Sequence, residues 1–118
     1  MREILFRGKR KEDDEWVYGF LVSQKHIGDW VTAYSVVPDT VGQFVGRVDK
    51  NGKKIFEGDI IRAFGETYAC RWDDGNCEFG LSNKHEGFGI AYVAPLDMEI
   101  IGNIHDNPEL LGGVGNAV

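Results

Sequence analysis

Between Thr40 and Arg62 the chain reads TVGQFVGRVDKNGKKIFEGDIIR, two strand-like runs on either side of Asn51-Gly52. An Asn-Gly pair between such runs is the strongest short hairpin signal, because a two-residue turn needs positive φ at both central positions. That turn dictates a register. Lys50 faces Lys53, Asp49 faces Lys54 and Val48 faces Ile55, so the apolar pair shares a face and the opposite charges lie nearer the turn. Glu57-Gly58-Asp59 then makes a glycine turn into another apolar strand, Asp59 to Phe64, which Gly65 breaks. A chain built this way at its centre is organised by hairpins.

A second hairpin is predicted around Asp74-Gly75, flanked by Glu66 to Trp72 and Asn76 to Leu81. With a two-residue turn, Trp72 faces Cys77, Cys70 faces Phe79 and Tyr68 faces Leu81, all on one side. Arg71 faces Glu78 and Thr67 faces Ser82 on the other, a pattern that a one-residue slip would destroy. Further strands are expected at Ile4 to Phe6, Trp16 to Val22, Trp30 to Val37, Gly87 to Val93 and Met98 to Ile104. In Trp16 to Val22 aromatic residues recur at period two and apolar residues fill both faces, the pattern of a central or covered strand. Gly8 to Glu15 and Ser23 to Asp29 read as connections. Asn107-Pro108-Glu109-Leu110 suits one helical turn, with Asn as the cap and Pro at the first position.

Sixteen glycines in 118 residues agree with this turn-rich reading. The predicted fold is all-β: a single domain of short coiled antiparallel strands over residues 1–111, an SH3-like small barrel with extra hairpins. Residues 112–118 have little apolar anchoring and are expected to form a flexible tail. No apolar run is long enough for a membrane span and no signal peptide opens the chain, so the expected location is cytoplasmic.

Several stretches resemble the YopX family of phage and prophage proteins. They are Arg2-Glu3-Ile4 with Phe6-Arg7, Tyr18-Gly19, Thr40 to Phe44, Asp49 to Lys53, Ile55 to Ile60, and the ending Ile101 to Leu111. Residues from about Ala63 to Pro95 carry no matching pattern. The resemblance implies a small β-rich, barrel-like domain acting in a bacterial cytoplasm, and it supplies no catalytic residues.

The residues themselves point to no chemistry of their own. His26, His85, His105, Cys70 and Cys77 form no CxxC or HxxxH pair, so neither a metal nor a cofactor is expected. In the register above the two cysteines are diagonal neighbours, too far apart to bridge, and read as buried free thiols. Glu57 and Asp59, Asp73-Asp74, and His105-Asp106 offer acid–base groups, but each sits where turn or cap chemistry explains it. There is no G-x-S-x-G nucleophile motif and no phosphate loop. Gly42 to Gly46 reads as a strand with close backbone approach.

A net charge of −6 argues against general nucleic-acid binding. The local basic clusters are Arg7 to Lys11 and the hairpin residues Arg47, Lys50, Lys53 and Lys54, the last four being the candidate nucleic-acid contacts. The function expected is a non-enzymatic protein-binding or assembly module. A nucleic-acid-binding small β-barrel is the first alternative, and an enzyme with an unrecognised site the second. Trp16 to Val22 and Trp30 to Val37 carry no lysine or arginine to guard an edge, so a symmetric homo-oligomer burying amino-terminal aromatic surface is expected.

Overall fold

The computed structural model describes residues 3–23, 25–28 and 33–111. The expected tail at 112–118 lies outside the described residues. The fold is all-β: among the described residues eleven strands form two antiparallel sheets, open in their hydrogen-bonded order, with four short 3-10 turns between strands and at the end. No helix of the described residues is long and apolar enough to cross a membrane. The chain divides into two compact units, Met1–Phe44 and Val45–Val118.

In the first unit, strands β1 (Phe6–Lys9), β2 (Trp16–Ser23), β3 (His26–Gly28) and β4 (Ala33–Ser35) lie in the order β4-β3-β2-β1. The start of β5 (Gly42–Val48) follows β1, with Arg7 opposite Gly42. Two expectations shift here. The first strand begins at Phe6 and runs through Arg7 to Lys9, because Trp16 to Gly19 offers it a partner over that length. The connection expected over Ser23 to Asp29 contains β3, which pairs with both β2 and β4. Of the strand expected from Trp30, residues 30–32 lie outside the described residues and Ala33–Ser35 is strand.

Gly19 is required in β2 because a Cβ there would lie 2.4 Å from the Gly28 carbonyl oxygen. Gly8 backs onto buried Ile27 and Val36, the small core of this unit. The ends of β1 and β4 are tied by a bridge between Arg10 and Val36, with Val37 N–H donating to Lys9 and Lys11 N–H to Ser35. Pro38–Thr40 forms a 3-10 turn. The Thr40 hydroxyl donates to the Val37 carbonyl at 2.6 Å and accepts Lys9 N–H at 2.9 Å.

In the second unit, β5 continues beside β6 (Lys54–Phe56). A five-stranded sheet runs β10 (Gly87–Gly89), β9 (Glu78–Ser82), β8 (Glu66–Asp73), β7 (Asp59–Ala63), β11 (Glu99–Asn103). Its core gathers Ile55, Ile61, Tyr68, Cys70, Leu81 and Met98, each no more than 1% exposed. The run expected as a strand from Gly87 to Val93 becomes a 3-10 turn at Ile90–Tyr92. Pro108–Leu111 is the expected single turn after Asn107, in 3-10 form.

Both predicted two-residue turns are corrected. At the first hairpin Asp49 N–H donates to the Lys53 carbonyl and Gly52 N–H to the Asp49 carbonyl, at 2.9 and 3.0 Å. Three residues therefore lie between the paired positions, and only Gly52 has positive φ (77°). This is the three-residue hairpin loop, a turn closed by a left-handed glycine bulge. Asp49 consequently stands opposite Lys53 and not Lys54. The Asp49 carboxylate drives the choice by accepting N–H bonds from Asn51 and Lys53.

At the second hairpin Trp72 faces Phe79, Cys70 faces Leu81 and Arg71 faces Gly80, a register two residues from the predicted one. The Asp73 carboxylate accepts N–H bonds from Gly75 and Asn76 and a side-chain bond from Asn76, so the loop takes in Asp74, Gly75, Asn76 and Cys77. A shift of two keeps every side chain on its face, so the apolar side survives. Cys77 leaves it: it adopts φ 54° in the loop and is exposed, while Cys70 is buried and the two are not joined in a disulfide. A two-residue turn does exist, at Phe64-Gly65, where both φ values are positive (53° and 78°) and Ala63 pairs with Glu66.

Candidate functional site

The four basic residues singled out for nucleic acid all lie on the β5–β6 hairpin but are not equivalent. The Arg47 guanidinium donates to the Val93 carbonyl, and its Nε is buried without a hydrogen-bond partner. Lys50 lies 3.7 Å from the Glu99 carboxylate, and its backbone N–H donates to Met98. Lys53 and Lys54 are exposed. The tip therefore presents three exposed lysines, Lys50, Lys53 and Lys54, while Arg47 serves the fold.

Asp49, 2% exposed, is the structural centre of this hairpin. Its carboxylate accepts backbone N–H groups of Asn51, Lys53 and Ile100 at 2.9, 3.0 and 3.0 Å. Burial pushes its pKa up, but those three bonds and the Lys53 charge outweigh burial and hold it below the ordinary 3.8. This group fastens strands and has no proton to exchange near neutrality.

The carboxylates of Asp59, Asp73 and Asp106 are engaged locally. Buried Asp59 accepts Phe56 N–H at 2.8 Å across the Glu57-Gly58 turn. Asp73 organises its loop; the Asn76 side chain first, then backbone bonds, depress its pKa against a burial effect of the opposite sign. Asn103 Oδ1 accepts the N–H groups of His105 and Asp106, and its amide donates to the Asp106 carboxylate. His26 Nδ1 meets the Ser23 hydroxyl at 2.9 Å. Among the described residues no three His, Cys, Asp or Glu side chains group as metal ligands.

A cleft of about 350 Å³ opens between Arg71, Asn76, Glu78, Ser82 and Gly87. Beside it, Tyr68 donates to Glu86 at 2.5 Å and packs edge-on to Phe88. The Glu86 bond, then burial, then the charges of Glu86 and Glu66 raise the Tyr68 pKa to about 12.

Apolar residues on both faces of β2 predicted a central or covered strand. The strand is central in its sheet, between β3 and β1, yet Tyr18, Phe20, Leu21 and Val22 are between 43% and 54% exposed. Trp16, Tyr18, Phe20 and Val22 share one face. Lys9 and Arg7 stand on it opposite Trp16 and Tyr18, with their cationic groups 5.6 and 4.6 Å from the Trp16 ring centre. The register extends the face through Gly28 and His26 to Ala33 and Ser35, and none of these positions carries a carboxylate. The period-two aromatic run was the available signal; what it could not report was how few elements cover it. In the second unit Phe64, Trp72, Tyr92 and Leu96 are likewise exposed.

Comparison with known families places these features: a family model described as YopX protein matches residues 5–112. No curated protein matches the chain.

Proposed function

The chain belongs to the YopX family, and from that premise we propose that it is a non-enzymatic protein-binding or assembly module, encoded by phage or prophage and working in the bacterial cytoplasm. The observation that carries this reading is the half-exposed row Tyr18, Phe20 and Val22 on a strand inside its sheet. Contiguous apolar surface of that kind marks contact with another molecule. The carboxylates of Asp59, Asp73 and Asp106 each have a structural task, which favours binding over catalysis. Residues 1–111 act as one functional domain in this reading, supported by a family match that spans both units. The first unit approaches an SH3-like barrel, supported by the Arg10–Val36 bridge between the ends of β1 and β4.

The partner is first of all another copy of the chain. Light scattering or sedimentation at micromolar concentration tests this: a mass above 13.2 kDa is expected, and a strict monomer removes the self-assembly reading. A pull-down from lysogenic or infected cells then asks for other protein partners. Nucleic acid remains the second reading, favoured only by the exposed Lys50, Lys53 and Lys54 at the hairpin tip.

A further inference from the structure

One face of the five-stranded sheet holds a cation and an anion that do not meet. The register sets Arg71 of β8 opposite Gly80 of β9, and Gly80 opposite Gly89 of β10. These three positions form a row across the sheet, on the face that also bears Glu78 and Ser82. Arg71 is exposed and Glu78 half-buried, and neither side chain has a hydrogen-bond or ion-pair partner among the described residues. Both line the cleft of about 350 Å³, a volume in the range of small-ligand sites.

Their separation has a cause. The Glu78 carboxylate lies over Gly89, where a Cβ would stand 2.4 Å from Glu78 Oε1. The absent side chain gives the carboxylate a place at the β10 end of the row, while Arg71 rises from the β8 end. Two strand spacings, about 10 Å, separate those ends, and Gly80 puts no side chain between them. Trp72 and Phe88 supply aromatic walls. Asp73 also borders the cleft, with its oxygens taken by Gly75 and Asn76. We infer that this cleft binds a small zwitterion of the ω-amino acid class, its carboxylate on Arg71, its ammonium on Glu78 and its methylene groups over Gly80. A guanidinium can hold such a carboxylate through two parallel N–H bonds. A ligand with one charge leaves one end of the row unmatched, and an α-amino acid is too short to reach both. The inference needs a single chain and stands apart from the assembly reading.

Isothermal titration calorimetry with ω-aminohexanoate at low ionic strength tests it. A dissociation constant of about 1 mM or tighter is expected. Hexanoate and hexylamine, which each keep one charge, and glycine, which is too short, should bind at least ~10-fold more weakly, the effect of one lost charged hydrogen bond. Arg71→Gln and Glu78→Gln should each weaken ω-aminohexanoate by a similar factor. Gly89→Ala is the sharper variant, because it keeps every charge. Its backbone, at φ −69°, accepts alanine, and the new Cβ displaces the Glu78 carboxylate toward Arg71. Binding should be lost there, with the melting temperature as the folding check. Should that variant not fold, the two glutamine variants decide. No binding to the unmodified protein overturns the inference, as does undiminished binding in Gly89→Ala or Glu78→Gln. Hexanoate binding as tightly as the zwitterion would make Arg71 a site for plain anions and overturn the class assigned. None of these outcomes depends on oligomeric mass, so the assembly reading stands or falls separately.

Discussion

Ile100 donates its backbone N–H to the Asp49 carboxylate at 3.0 Å, fastening a hairpin tip to a strand 51 residues further along. The same carboxylate holds the Asn51 and Lys53 N–H groups, so one buried side chain organises the turn and anchors it. Asp49→Ala orphans all three donors and should cost about 2–4 kcal/mol, since each unmet buried donor costs roughly 1–3 and two of these can turn toward water. Urea denaturation measures it; a loss under about 1 kcal/mol would contradict the role given to Asp49. Because the folded-state pKa lies below 3.8, the folded protein binds fewer protons than the unfolded chain just under that value. The contribution is therefore present above 3.8 and lost as pH falls through the folded value. Asp49→Asn should flatten that acid limb.

Tyr68 sets the opposite limb. Its phenol ionises at about 12 in the folded protein against an ordinary 10.0. Stability from this group is complete below pH 10 and falls as pH rises toward 12, by up to ~3 kcal/mol at 1.36 kcal/mol per unit. Tyr68→Phe should remove this alkaline loss in pH-dependent melting curves while lowering stability at neutrality, where the bond to Glu86 is lost. An unchanged alkaline slope in Tyr68→Phe would refute the assignment.

Phe64 occupies left-handed backbone at φ 53° and is 63% exposed. A side chain without local polar bonding is costly there, by about 1–2 kcal/mol. Phe64→Asn creates the Asn-Gly pair that this two-residue turn favours. A gain of about 1 kcal/mol, or roughly 4 °C in melting temperature, is expected. A lower melting temperature would mean that the Phe64–Phe88 ring contact at 6.2 Å matters more than the strain.

The thiols should separate cleanly. Without reductant, a thiol reagent should label one group per native chain, Cys77, and two after denaturation, since Cys70 is 0% exposed. Two rapid native reactions would require the β8 face to open.

Nucleic-acid binding by the hairpin tip should be weak at physiological salt. Arg47 is committed to Val93, and the exposed lysines Lys50, Lys53 and Lys54 of the tip are the contacts that remain accessible. A dissociation constant in the nanomolar range, as specific complexes reach, would count against this. Any binding seen should vanish in the double variant Lys50→Glu, Lys53→Glu.

Much of the fold was legible where local chemistry has one solution. The Glu57-Gly58 turn, with the Asp59 carboxylate turned to the backbone, follows from residue types alone, as does Asn107-Pro108 opening a turn. The registers were misread where a preceding aspartate competes with the dipeptide. Asp49 and Asp73 each claim the N–H groups of their loops, lengthening both beyond two residues. Faces survived at Asp73 because the slip was even. The Phe64-Gly65 turn was invisible because phenylalanine disfavours the backbone it adopts. The two-sided apolar pattern of β2 foretold its central place in the sheet but not how exposed its faces are, because such a pattern does not say what covers a side.

Gly19 constrains how this chain can diverge. A Cβ at this position would stand 2.4 Å from the Gly28 carbonyl, and backbone cannot yield as a side chain can. Relatives that keep the pairing of β2 with β3 are therefore denied every other amino acid at position 19, whereas position 64 gains from replacement. Over long divergence the first should remain fixed and the second drift, so substitutions at Phe64 measure elapsed time while a substitution at Gly19 marks a lineage whose amino-terminal sheet has been rebuilt.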